Sequence, residues 1–179
     1  MENNGEKVTV TKLIADIEVI LEGTKEKTVE TLKPYTQKQL EQDEIYACFE
    51  LMNLQNYFLN YNKFYAKKDD KGRIKLETDW TAIDENYTSL IPELEKYMEK
   101  VFGSQENELS EADDEKFSIN HEEQLFKWFS ESWEAAGGEH SLVPTFFCFD
   151  KEYACHDLKT GEVISEVEAA RRLGYEVEV

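Results

Sequence analysis

The chain has 179 residues, with 39 acidic and 20 basic side chains and a formal net charge of −19. Apolar residues make up 40% and aromatic residues 12%, which is enough apolar surface to offset the entropy of ordering and excludes a wholly disordered chain. The charge excludes a generic nucleic-acid binder, which needs a basic footprint, and it excludes electrostatic docking on anionic membranes.

The first predicted element is a helix over residues 10–32, where Val10, Leu13, Ile14, Ile17, Ile20 and Leu21 recur at steps of three and four. Thr9 or Thr11 is positioned to cap it. Pro34 is expected to stop it, because the residue before a proline is pushed out of the α region. A second helix is predicted over residues 37–66. Leu51, Leu54, Phe58, Tyr61 and Tyr65 fall at helical steps, and Leu40, Ile45, Cys48, Phe49 and Met52 widen the stripe. At about 1.5 Å per residue this helix would span about 45 Å, long enough to be the spine of the domain or a surface for homodimerisation.

Residues 73–78 alternate and read as a short strand or a loop. A third helix is predicted over residues 80–102, capped by Asp79 and closed by Gly103. Pro92 lies inside that pattern, so the helix kinks there or restarts with Ser89 as its cap. Residues 104–118 are polar and acidic and read as an exposed, mobile linker between a helical part (1–103) and a small α+β part (119–179), or as a loop in one fused domain. A helix over residues 121–136 follows, capped by Asn120, with Leu125, Trp128, Phe129 and Trp133 on one face and Gly137-Gly138 at its end.

The period then changes. Residues 143–149 form a β-type run, residues 153–158 a partner strand, and residues 159–162 a turn. Ser165 opens a capping-box signature with Glu168, starting a short helix that runs through Leu173 and ends at Gly174. Residues 175–179 alternate like an edge strand. The expected fold class is α+β: a mainly helical N-terminal part with a long central helix, and a C-terminal helix packed on a small antiparallel sheet.

No secretory signal pattern and no apolar run of 18 or more residues is present, so a cytoplasmic protein is expected. Its cysteines, Cys48, Cys148 and Cys155, are expected to be reduced. Cys148 and Cys155 face each other if residues 150–153 turn a hairpin.

Most motifs for chemistry are missing or mismatched. There is no P-loop and no GxGxxG, and His121-Glu122-Glu123 lacks the spacing that puts two imidazoles on one zinc. Cys148, Cys155, His156 and Asp157 offer metal-ligating types within ten residues. Successive strand residues point to opposite faces, however, so buried cysteines among Phe146, Phe147 and Phe149 are the better reading. No metal, cofactor or catalytic residue is therefore assigned. A small enzyme using Cys155, His156 and Asp157 is one alternative function, and a dimerisation module built on the long helix is another. The basic and aromatic run of Lys63, Lys67, Lys68, Lys71, Arg73 and Lys75 with Tyr61, Phe64 and Tyr65 is interrupted by Asp69 and Asp70 and reads as the cationic end of a helix.

The distribution of charge is more informative. Residues 77–123 hold 15 acidic side chains and 3 basic ones. Such self-repulsion is tolerated when the charges are solvated or when they meet a cationic partner. The leading expectation is a non-enzymatic acidic interaction protein of the immunity or inhibitor type. It would bind a basic partner such as a nuclease, a toxin or a nucleic-acid-binding protein through Glu106, Glu108, Glu111, Asp113, Asp114 and Glu115. No direct contact with nucleic acid or membrane is expected.

Overall fold

A computed structural model describes residues 8–52, 57–83, 88–103, 109–149 and 154–177. Helix α1 (Val10–Thr36) starts at Thr9, whose side-chain oxygen accepts the Lys12 N–H at 3.3 Å. Its apolar stripe of Val10, Leu13, Ile17, Leu21 and Leu32 is buried. Thr24 and Thr28 share that stripe because their hydroxyls donate to the carbonyls of Leu21 and Thr24, which satisfies them inside the core. The helix runs two residues past Pro34. A proline near the last turn removes a single ladder bond, so it does not stop the helix where the sequence suggested.

The largest correction concerns residues 37–66. In place of one long helix they form strands β1 (Glu44–Met52) and β2 (Phe58–Lys68), paired antiparallel, with Cys48 opposite Asn62 and Glu50 opposite Asn60. Alternation sends Ala47, Phe49 and Leu51 into one core and Tyr46 and Cys48 into another. A strand buried on both faces reads as a continuous apolar run, and periodicity alone does not separate it from a helix. With that helix gone, the dimerisation module it would have supported has no scaffold.

Strand β3 (Ile74–Ala82) extends the alternating segment and contains Trp80, which lies opposite Asn62 rather than at a helix start. The third helix is correspondingly shorter. Helix α2 (Pro92–Phe102) begins at Pro92, with Ile91 at the cap position, and Ser89 Oγ accepts the Ile91 N–H at 3.2 Å. Proline needs no hydrogen-bond partner in the first turn, which favours the restart over the kink. Helix α3 (Glu111–Ala135) starts ten residues earlier than predicted, with Ser110 rather than Asn120 as its cap, so residues 111–118 are helix and not linker. The pattern Ser110-Glu111-Ala112-Asp113 is the local signal that marks this start, with Ser110 accepting the Asp113 N–H.

The C-terminal part follows the sequence closely. Gly137 ends α3 at φ 95°, a short 3₁₀ turn follows at Gly138–His140, and β4 (Thr145–Phe149) pairs antiparallel with β5 (Ala154–Asp157). Strand β6 (Val163–Ser165) adds to β5, and Ser165 caps α4 (Glu166–Arg172) by accepting the Glu168 N–H at 3.1 Å. Of the predicted edge strand, Val177 makes a bridge to Ile74, and residues 178–179 lie outside the described residues.

The fold is α+β, with six strands in the order β3-β2-β1-β4-β5-β6. The sheet is mixed, because β1 and β4 are parallel. Helices α1 and α3 cover one face. They are tied by Lys25 to Glu131 at 2.7 Å, by Gln124 Nε2 donating to Ile14 O at 2.9 Å and by Thr36 to Ala136 O at 3.3 Å. The main core spans both sides of residues 104–118: Leu13, Ile17 and Leu32 join Phe49, Phe129, Trp133 and Phe147 in one cluster. Phe129 stacks on Phe147 at 4.4 Å between ring centroids and meets Phe49 at 5.3 Å. The second face carries a smaller core of Tyr46, Phe64, Phe146 and Ile164 under Ala169 and Ala170 of α4. Phe129→Ala removes a fully buried ring from the junction of helices and sheet and is expected to cost about 3–5 kcal/mol. Urea denaturation, with the exposed Val19→Ala as a control that changes little, measures the difference.

Candidate functional site

Two constellations emerge, on different parts of the fold. The first is the start of α3. Ser110 accepts the Asp113 N–H at 3.3 Å and donates to the Asp113 carboxylate at 2.8 Å. Glu111, Asp113, Asp114 and Glu115 are all exposed. Helix α3 as a whole carries eight acidic residues and two lysines. Among the described residues no ion pair involves these four carboxylates, whereas acids elsewhere meet cations of the same chain. Lys63 binds Glu41, Lys67 binds Glu77 at 2.5 Å, Arg73 binds Asp69 at 2.6 Å and Arg172 binds Glu162 at 2.6 Å. The expected basic patch is thus part of a β2–β3 ribbon rather than a helix end, and three of its cations are engaged internally. Glu106 and Glu108 lie outside the described residues.

The second constellation was only half legible. Cys148 and Cys155 do face each other from neighbouring antiparallel strands, and residues 150–153, which join them, lie outside the described residues. Cys48 joins them from β1, with no local pattern to mark it. Its Sγ lies 3.5 Å from Cys148 Sγ and 3.9 Å from Cys155 Sγ, and all three sulfurs lie within 4.8 Å of one another. The parallel β1–β4 register places Cys48 opposite Phe146 and Glu50 opposite Cys148, so Cys48, Glu50 and Cys148 share one face. All three thiols are free and buried.

Polar side chains adjoin the trio. The Glu50 carboxylate accepts from Asn62 Nδ2 at 3.1 Å and, more weakly, from Asn60 Nδ2 at 3.5 Å. Asn60 is fully buried and Asn62 is 6% exposed, yet the amide oxygen of each has no hydrogen-bond partner. The Glu166 carboxyl, at the start of α4, is raised above the usual range by burial, and then by Cys155 and Glu50. The contact with Cys148, followed by that with Cys48, stabilises negative charge on Cys155 and lowers its pKa. Cys148 moves the opposite way, chiefly through its contact with Cys155. Cys48 is also raised, by its contacts with Cys148 and Cys155 and then by burial.

The alternative Cys155–His156–Asp157 arrangement does not assemble. His156 points to the helical face, where it stacks on Phe126 at 4.0 Å between centroids, while Cys155 points to the other core. Asp157 accepts the Lys159 N–H at 2.8 Å and organises the turn. Burial lowers the His156 pKa. No family model, curated protein or solved structure matches this chain.

One further buried titratable group stands apart from both constellations. His121 Nε2 lies 3.1 Å from the Tyr57 hydroxyl, its ring stacks on Phe117, and its Nδ1 has no partner. Burial pushes its pKa down to about 4, from the ordinary 6.5. The unfolded chain takes up a proton at this position before the native state does, so stability is full above about pH 6.5 and declines as pH falls toward about 4. His121 is expected to remove about 1–2 kcal/mol of stability between about pH 7.5 and 5.5. Urea midpoints at the two pH values, compared with those of His121→Gln, should show the slope flattened in the variant.

Proposed function

We propose that this protein is a non-enzymatic acidic interaction protein that docks a basic protein partner against the exposed start of α3. The observation that carries the reading is that, among the described residues, no ion pair involves Glu111, Asp113, Asp114 or Glu115. These carboxylates crowd one helix end, whereas the ion pairs Lys63–Glu41, Lys67–Glu77 and Arg172–Glu162 lie elsewhere on the fold. Negative charge in the first turn also complements the helix dipole, but that role is met by one or two carboxylates and leaves the rest uncompensated. A partner whose own cations normally grip phosphates, such as a nuclease, a toxin or another nucleic-acid-binding protein, supplies the matching charge. Association would be fast and salt-sensitive, and would hold the partner's basic surface away from nucleic acid.

The test compares the wild type with the variant Glu111→Gln, Asp113→Asn, Asp114→Asn and Glu115→Gln. Immobilised protein is exposed to lysate of the source cells at low ionic strength and again near 0.5 M salt, where the screening length falls to about 4 Å. The expected result is a basic protein that the wild type retains at low salt only, that the variant fails to retain, and whose nucleic-acid binding is blocked by added wild-type protein. Equal retention by the variant, with a lowered melting temperature as its only change, would assign the four acids to helix stability alone.

A further inference from the structure

We propose that Cys48, Cys148 and Cys155 form a three-thiolate site for a thiophilic divalent cation of the zinc class, with Glu50, Asn60 and Asn62 flanking its open side. Three strands bring one thiol each to the same face: β1, β4 and β5 are neighbours in the sheet. Every cysteine of the chain is in the cluster. A metal held at about 2.3 Å by tetrahedrally arranged sulfurs sets them about 3.8 Å apart. The observed 3.5 and 3.9 Å bracket that spacing and are far from the roughly 2.05 Å of a disulfide.

Sulfur spacing alone also suits three packed thiols, so the surroundings decide the matter. Apolar packing needs no polar neighbours, yet this sheet face carries a carboxylate and two amides beside the cysteines. Asn62 sits directly across from Cys48, and Asn60 across from Glu50, which in turn adjoins Cys148. The amide nitrogens of both asparagines are spent on Glu50, and their oxygens are left as buried acceptors without donors. Buried groups in that state call for an explanation. A water in the fourth position of a bound cation supplies the missing donor.

The charge count favours a divalent ion. Binding forms three metal–sulfur bonds, and any thiol still protonated loses its proton to solvent as its bond forms. Three thiolates and a divalent cation leave one net negative charge, whereas a monovalent cation would leave two in a buried site. A carboxylate in the fourth position would also raise the count to two, so a neutral water is the better fourth ligand. With the cation bound, all three sulfurs are thiolates.

The test is titration of the full-length, reduced protein with Co²⁺ and then Zn²⁺, in a phosphine reductant that does not compete for the metal. The expected result is a thiolate-to-cobalt charge-transfer band saturating at one ion per chain, together with visible transitions of tetrahedral intensity. Zinc should abolish the band, and binding should weaken as pH falls. Cys48→Ser, Cys148→Ser and Cys155→Ser should each weaken binding by more than the roughly 10–100-fold that loss of an outer partner costs. Asn62→Leu should alter the visible transitions while leaving the charge-transfer band. A second measurement on the wild type covers variants that fail to fold: cobalt binding should slow the reaction of the thiols with a chromogenic disulfide reagent and raise the melting temperature. Absence of the charge-transfer band at saturating cobalt, or an undiminished band in folded Cys48→Ser, would overturn the site and leave three buried reduced cysteines.

Discussion

Burial of β1 and β4 on both faces is the constraint from which the rest of the architecture follows. Phe49, Leu51, Phe147 and Phe149 require a helical layer on one side, and α1 and α3 supply it through Leu13, Ile17, Phe129 and Trp133. Tyr46, Cys48, Phe146 and Cys148 require cover on the other, where the described helix is α4, with seven residues. Its Ala169 and Ala170 let it approach the sheet closely above Tyr46, which stacks on Phe64 at 4.4 Å between centroids and meets Phe146 edge-on at 5.2 Å. Beside that aromatic part, the same face carries the buried row of Cys48, Cys148, Cys155, Asn60 and Asn62.

The same double burial explains what the sequence could and could not disclose. A strand with one wet face alternates in polarity, and residues 73–78 were legible for that reason. β1 has no wet face at its centre, so its apolar residues gave no alternation, and accidental steps of three and four from Leu51 to Tyr65 passed for a helix. Residue type was the better signal: Ile45, Tyr46, Phe49, Phe58, Tyr61 and Phe64 are β-branched or aromatic and favour strands. Caps were legible at some ends only: Ser165 and Gly174 mark the ends of α4 and Thr9, one of two candidates, caps α1, whereas Asp79 lies inside β3 and Asn120 inside α3, which Ser110 caps instead.

The candidate sites divide along the same line. Acidic clustering is a property of sequence distance, and residues 111–115 remain together because a helix keeps neighbours close. The thiol trio depends on a parallel pairing of β1 with β4, between segments about 100 residues apart. Register of that kind is fixed by the hydrophobic pattern of the finished sheet and the helices that cross between its strands, so nothing local to Cys48 announces it. Spacing between Cys148 and Cys155 marks at most a pair, and the third sulfur comes from β1.

The two constellations also bear on each other through charge. A chain at −19 opposes every further ionisation of a buried thiol, since each new thiolate adds to a field that is already negative. The same field draws cations toward the surface and favours whatever neutralises it. A basic partner at the start of α3 and a divalent ion among the cysteines would both relieve the charge excess, one by covering exposed carboxylates and the other by compensating thiolates inside the fold. Relief of the first kind is screened by salt because its charges are wet, whereas relief of the second kind is shielded by Phe64, Phe146 and Ile164 and answers to proton concentration instead.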